Sequence, residues 1–339
     1  MEKLYSGLDL HSNNTYCGIS DGMETRVFRG RFPNDLGLIL RGLAPFRERL
    51  VGVAVESTYN WYWLVDGLQE AGYNVHLANP NAVRQYDGLK NVDDETDAFH
   101  LAHLLCLGIL PEGYIYPKEE RPVRDLLRRR LLLVHQRTAQ VLSLEGLMMR
   151  QFGERVTGRF VQSLEEGGLN ARLADPALRL AADTSISVIR HLAERIRIIE
   201  KEAIGRCQLR PDYANLTSIP GIGRILATTI MLETGPISRF DSVANYSSYC
   251  RCAKADKTSN GKKKGENNGK NGNKYLSWAF VEAANYCRRY FAPARAFCQR
   301  KTAKRNGVVA VKALACKLSK AAYFIMRDQE VFHPEKCFG

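Results

Sequence analysis

No apolar run in the sequence approaches the roughly 18 residues that a membrane-spanning helix needs, and none reads as a secretory segment. There is also no CxxC pair. The nine cysteines (Cys17, Cys106, Cys207, Cys250, Cys252, Cys287, Cys298, Cys316 and Cys337) are odd in number and scattered. Cys250-Arg-Cys252 has only one residue between its thiols and no second pair to complete a site, which argues against a zinc knuckle. The expectation is a soluble intracellular chain with reduced thiols and no membrane partner. Acidic residues are in deficit: 36 Asp+Glu against 49 Lys+Arg give a net charge of +13 and a pI near 9.3. An excess of this size favours a polyanionic partner, nucleic acid first. What remains is ordinary for a globular protein: 339 residues, 45% hydrophobic and 25% charged, with mean hydropathy −0.29. That composition supports a full core and two or three domains, and it excludes a disordered chain.

The first hundred residues read as strands and then as alternating helix and strand. Lys3 to Leu10, Thr15 to Ser20 and Thr25 to Arg31 form a meander of three strands. Asn34 is placed to cap a helix running to about Arg49, Val51 to Glu56 reads as a buried strand, Asn60 to Ala71 as a helix, and Asn74 to Ala78 as a fifth strand. This order is that of an RNase H-like domain. Its acids stand where such a fold can use them. Asp9 ends the first strand and Glu56 the fourth, both in otherwise apolar runs, so each carboxylate costs stability unless something compensates it. Asp94 and Asp97 are spaced i and i+3 on one face at the start of a helix over Glu95 to Leu107. Asp93 is the alternative to Asp94, although its side chain would point about 100° away from the face carrying Asp97. Oxygen donors without a thiolate suit Mg2+ or Mn2+ rather than zinc. His11, His100 and His103 lack ligand spacing and read as flanking residues.

The middle reads as a long helical connector. Glu119 to about Gln151 carries a seam of Leu127, Leu131, Val134, Val141 and Met148, and a second helix carries Ile189, Leu192, Ile196, Ile199 and Ala203. Two such seams make either an antiparallel hairpin or a dimer contact. Arg124, Arg128, Arg129, Arg130 and Arg137 line the first helix, facing either a nucleic-acid backbone or solvent.

The C-terminal third is basic and expected to be mostly helical. Leu216 to Ala227 has a helix-hairpin-helix signature, in which Pro220, Gly221 and Gly223 allow a tight turn whose amides, with Arg224 beside them, grip a phosphate. Then comes a loop, Lys257-Thr-Ser-Asn-Gly-Lys-Lys-Lys-Gly265, running on to Gly272-Asn273. It combines a hydroxyl pair with positive charge: Lys262, Lys263 and Lys264, followed by Lys270 and Lys274, are the candidate phosphate contacts. Charge continues through Arg295, Arg300, Lys301, Lys304, Arg305, Lys312, Lys317 and Lys320. The expected domains are 1–117, an RNase H-like α/β domain; 118–207, a helical coiled-coil connector; and 208–339, a mostly α-helical domain carrying the helix-hairpin-helix motif and the hydroxyl-bearing loop.

Taken together, GLDLH at Gly7 to His11, AVEST at Ala54 to Thr58, DETDAFHLAHLL at Asp94 to Leu105, IPGIG at Ile219 to Gly223, and SNGKKKG with GNKYL at Ser259 to Leu276 resemble the transposases of insertion-sequence family 110. The likeness spans nearly the whole chain. It implies a RuvC-like domain whose Asp9, Glu56, Asp94 and Asp97 bind magnesium, and a transposase domain in which Ser259 is the nucleophile that forms a phosphoserine link to DNA. It also implies a bridge RNA as guide, donor and target DNA duplexes as partners, a dimer assembling to a tetramer on DNA, and a nucleoid-associated location in the bacterial cytoplasm. The chain departs from the family pattern where Val92-Asp93 precede Asp94 and where Asn260 separates Ser259 from Gly261, which keeps Asp93 and Thr258 as alternatives. Two other functions compete: a RuvC-like junction nuclease that activates water and needs no serine, and a nucleic-acid-binding scaffold without activity.

Overall fold

In the computed structural model the chain divides into two compact units, Met1–Lys118 and Glu119–Gly339. The structure describes residues 2–21, 25–83, 94–253, 256–259, 262–266 and 271–339; within these, only the backbone is described at 94–95, 256–259, 263 and 265–266.

The first unit is built on a five-stranded mixed sheet of order β3-β2-β1-β4-β5. Strands β1 (Leu4–Leu10), β2 (Asn14–Asp21) and β3 (Arg26–Pro33) form the antiparallel meander, and β4 (Leu50–Glu56) and β5 (Val75–Ala78) add in parallel beyond β1. Helices α1 (Leu36–Leu43), α2 (Tyr62–Glu70), the short α3 (Pro80–Val83) and α4 (Asp94–Cys106) complete it. The period-2 alternation of strands decides what each face carries. Leu4, Leu8 and Leu10 of β1 and Val53 and Val55 of β4 join Ile39, Leu43, Leu64 and Leu68 in one core. On the opposite face, Ala54 joins Leu101 and Leu104 of α4. Being covered on both faces is why β4 reads as a continuous apolar run.

Gly7 explains how closely α4 sits. A β-carbon there would run into the carbonyl oxygen of Ala98 and lie 2.9 Å from the amide of Ala102. Only a residue without a side chain lets α4 rest directly on β1. One local expectation is corrected. Asp35, not Asn34, caps α1 by accepting from the Leu38 amide at 2.9 Å. The helix stops at Leu43 and continues as a 3-10 turn over Ala44–Arg49, where Pro45 has no amide to donate.

The second unit opens with a helical hairpin, α5 (Arg121–Phe152) and α7 (Pro176–Cys207), with the short α6 (Gly158–Ser163) between them. Val123 and Leu127 near the start of α5 share a core with Ala203 and Cys207 at the end of α7. Val141, Leu144 and Met148 pack with Ala182, Ile186 and Ile189. The two seams therefore meet each other antiparallel within one chain. Some of the arginines expected on the helix surface turn inward: Arg130 binds Glu200 at 2.6 Å, Arg128 binds Glu233 at 2.6 Å, and Arg124 is buried. Arg129 stays exposed.

Then follow α8 (Pro211–Thr217), α9 (Arg224–Thr234), α10 (Val243–Tyr249), a two-stranded hairpin of β6 (Asp256–Ser259) and β7 (Lys262–Glu266), α11 (Lys274–Tyr290), α12 (Ala292–Lys304), α13 (Gly307–Asp328) and α14 (Pro334–Phe338). Ile230, Tyr246, Phe280, Leu314 and Leu318 form the centre of their core. Among the described residues, no helix is long and apolar enough to cross a membrane.

Candidate active site

Asp9 and Glu56 are brought together by register. Leu8 pairs with Val55 across the parallel β1–β4 ladder, so the next residue on each strand stands at the same C-terminal edge. Alternation puts Asp9 on the face of Gly7 and Glu56 on the face of Ala54, which is the face that α4 covers. Asp9 is 3% exposed, and its carboxylate and that of Glu56 share a hydrogen bond. Asp97, one turn into α4, is close enough to add its charge to theirs. Burial is the main cause that lifts the Glu56 carboxyl to about 7; the hydrogen bond and charge of Asp9 and then the charge of Asp97 lift it further, while His11 opposes them.

His11 belongs to this site more closely than its sequence position suggested. Its Nε2 lies 3.0 Å from Asp9 Oδ2, and Asn34 and Asn60 donate to its carbonyl at 3.0 and 3.1 Å. Those two amides fix the chain just beyond β1. The signal was present in the sequence: Asp9 and His11 are two residues apart at a strand end, the spacing that puts both on one face.

Of the acidic quartet, then, Asp9, Glu56 and Asp97 converge. Asp94 opens α4 one turn before Asp97, but its side chain, like the whole of Asp93, lies outside the described residues. Among the described residues no three His, Cys, Asp or Glu side chains gather tightly enough to hold an ion by themselves. In donor chemistry the three acids still fit a hard divalent cation: they are all carboxylates, and their mutual repulsion is what such a charge relieves.

A pH prediction follows from Glu56. Its proton affinity in the folded protein exceeds the unfolded value of about 4.3, so its contribution to stability is complete below that value and is lost as pH climbs through about 7. In a chelator-treated sample, the thermal midpoint is expected to drop between about pH 5 and about pH 7.5, and Glu56→Gln to flatten that drop. Equal slopes for the two proteins would contradict the acidic coupling.

The hydroxyl-bearing segment is a hairpin, not the loop expected from its composition. Thr258 pairs with Lys263 and Ser259 with Lys262 across β6 and β7. The signal for it in the sequence is the Asn260-Gly261 dipeptide between them, the strongest short-range hairpin signal. Lys262, Lys264 and Lys274 are exposed, the last with its Nζ 5.1 Å from the Tyr275 ring centroid. The side chains of Thr258, Ser259 and Lys263, and all of Asn260, Gly261 and Lys270, lie outside the described residues.

The turn between α8 and α9 divides its predicted contacts. Gly223 caps α9, and both it and Arg224 are exposed. Gly221, with φ +91°, instead faces α11, where a β-carbon would collide with the Ala283 carbonyl. The missing side chain of Gly221 thus serves packing against α11, while Gly223 and Arg224 are exposed.

Both parts of the chain match known families. The DEDD transposase model of the IS110 group matches residues 6–152, which include Asp9, Glu56, Asp94 and Asp97. A model described as "Transposase IS116/IS110/IS902 family" matches residues 213–299, which include the turn before α9 and the β6–β7 hairpin. A search of curated proteins returns no match. The two family matches together take in well over half of the 339 residues and lie in the family's order. The chain belongs to the IS110 family of transposases, enzymes that cut and rejoin DNA with the help of a divalent metal.

Proposed function

We propose that this transposase is an RNA-guided recombinase that moves its own element through serine-linked DNA intermediates. The observation carrying the proposal is the convergence of Asp9, Glu56 and Asp97 beneath α4, supported by the exposed Lys262 and Lys264 beside Ser259. Asp9, Glu56, Asp94 and Asp97 would hold Mg2+ or Mn2+, and a bound cation would supply the charge that steadies the phosphate oxygens during displacement. The Ser259 hydroxyl forms a bond to phosphorus while the bond from phosphorus to one deoxyribose oxygen breaks. The serine loses its proton and the departing sugar oxygen gains one. Attack by a deoxyribose hydroxyl of the new partner strand reverses the exchange and releases the serine. One phosphodiester therefore replaces another without an external energy source.

The exposed Gly223 and Arg224 suit the helix-hairpin-helix reading, with amides and a guanidinium meeting the DNA backbone. Exposed Arg295, Arg300, Lys301, Lys304 and Arg305 extend the cationic surface along and beyond α12. Such a surface suits the backbone of a bridge RNA or its heteroduplex, with base pairing carrying sequence specificity. We place the acidic residues of one protomer against Ser259 of another, in a dimer that assembles to a tetramer on donor and target duplexes.

A nicked suicide substrate tests this reading. With Mg2+ the protein is expected to become covalently attached to DNA, and Ser259→Ala to lose attachment completely. Strand cleavage by Ser259→Ala at the normal rate, with no adduct, would instead establish a water-activating nuclease.

A further inference from the structure

Glu233 sits near the end of α9, 1% exposed in a helix whose neighbouring positions are buried as well. A carboxylate in such a place is costly unless it is paired and hydrogen-bonded. Arg128 reaches it from α5 through two parallel bonds, Nε to Oε1 at 2.6 Å and Nη2 to Oε2 at 2.8 Å. The same guanidinium lies over the Tyr275 ring, 4.6 Å from its centroid. A third bond comes from Asn273, whose Nδ2 donates to Oε2 at 2.7 Å.

Asn273 ends the segment that contains the β6–β7 hairpin. Its Oδ1 caps α11 by accepting from the amides of Tyr275 and Leu276 at 2.8 and 3.2 Å, and its own amide donates to the Tyr249 carbonyl at 2.6 Å. The entering end of the segment is fastened to the same place. Arg251 holds a left-handed φ of +54° and sends its Nε to the carbonyls of Asn271 and Gly272, each at 3.1 Å. Both ends of the hydroxyl-bearing segment are thus tied to one point, and Asn273 links that point to the buried ion pair between α9 and the long helix α5.

We propose that Arg128, Glu233 and Asn273 form a positioning relay that fixes the base of the β6–β7 hairpin, and with it Ser259, against the α5–α7 helical pair. The relay rests on the assignment of Ser259 as nucleophile. It orients the nucleophile without touching DNA, because the buried carboxylate accepts hydrogen bonds from a guanidinium on one side and from the helix-capping amide on the other. The bidentate arginine fork and the single orientation of the Asn273 amide leave this anchor of the segment little angular freedom.

The polarity of the Asn273–Glu233 bond gives a test. Asn273→Asp keeps the capping oxygen, since Asp caps helices as well as Asn, but it turns a donor into a second carboxylate facing Glu233. Adding Glu233→Gln restores a donor to face Asp and keeps one acceptor, Oε1, for Arg128 Nε, at the cost of the second bond of the fork. The rate of covalent attachment to a nicked suicide duplex at saturating DNA is measured alongside DNA affinity, urea-unfolding midpoint and a Ser259→Ala control. Asn273→Asp is expected to slow attachment about tenfold while leaving DNA affinity within about twofold, and the double variant, which regains the bond between the two substituted side chains but keeps only one bond to Arg128, to recover part of the rate. Arg128→Lys, which keeps the charge but loses the fork, is expected to slow attachment with the same unchanged affinity. Attachment by Asn273→Asp at the wild-type rate would overturn the relay, and so would a loss that Glu233→Gln fails to restore even in part or that parallels falling affinity and stability. Attachment by Ser259→Ala would remove the nucleophile assignment itself, and the relay with it.

Discussion

Asp9→Asn is expected to lower metal-dependent strand cleavage by about 10²–10³-fold while leaving DNA binding close to that of the wild type. The change is nearly isosteric in a buried position, so its effect is on charge. Asp9 is the most enclosed of the described acids in this site and touches two of its other groups: it shares a hydrogen bond with Glu56 and lies 3.0 Å from His11 Nε2. If Asp9 is one of the ligands, replacing it with an amide removes a negative charge that a divalent cation would need. The same replacement reduces like-charge repulsion on Glu56, so the metal-free variant is expected to be no less stable than the wild type at neutral pH. Loss of activity without loss of stability is the signature of a functional carboxylate, because a structural one would lose both. Cleavage of end-labelled DNA over a magnesium titration, paired with a binding assay in chelator, reads the two effects apart. Cleavage within a few-fold of wild type would refute the metal role of Asp9.

Mixing two inactive variants is expected to restore activity. If the acids of one protomer meet Ser259 of another, Asp9→Asn and Ser259→Ala each inactivate every site in their own homodimers. In an exchanged mixture half of the dimers are mixed, and each mixed dimer holds one site with intact acids and an intact serine. About one quarter of all sites should then attach to DNA. A site assembled within a single protomer gives no recovery at any ratio, so the outcome separates the two arrangements without a structure of the assembly. The adduct formed in the mixture must be carried on the Asp9→Asn chain, the one that retains Ser259, and a size tag on either variant makes this visible on a denaturing gel.

Much of the first unit was legible in the residues, because both of its signals are local. Alternation in KLYSGLDL and a continuous apolar run in VGVAVE gave the strands to within a residue or two, and the parallel register then forces Asp9 beside Glu56. The contact of His11 with Asp9 was equally readable from the two-residue spacing but was masked by its lack of metal-ligand spacing. The β6–β7 hairpin was missed because three consecutive lysines read as solvated chain, although Asn260-Gly261 called for a hairpin. The partners of the α5 arginines lie out of reach of any local pattern. Arg128 meets Glu233 across 105 residues of chain, and Glu233 across 40 residues meets Asn273. A buried acid within an apolar helix hints at a partner, yet only tertiary packing names it.

The most direct measurement of the central claim is to locate the covalent bond. Wild-type protein attached to a suicide duplex is digested with nuclease and protease, and the peptide carrying the residual nucleotide is sequenced by mass spectrometry. The account predicts the modification on the hydroxyl of Ser259, dependent on Mg2+ and absent from Asp9→Asn. Attachment at Thr258 or elsewhere, or cleaved DNA with no nucleotide-bearing peptide, would contradict it.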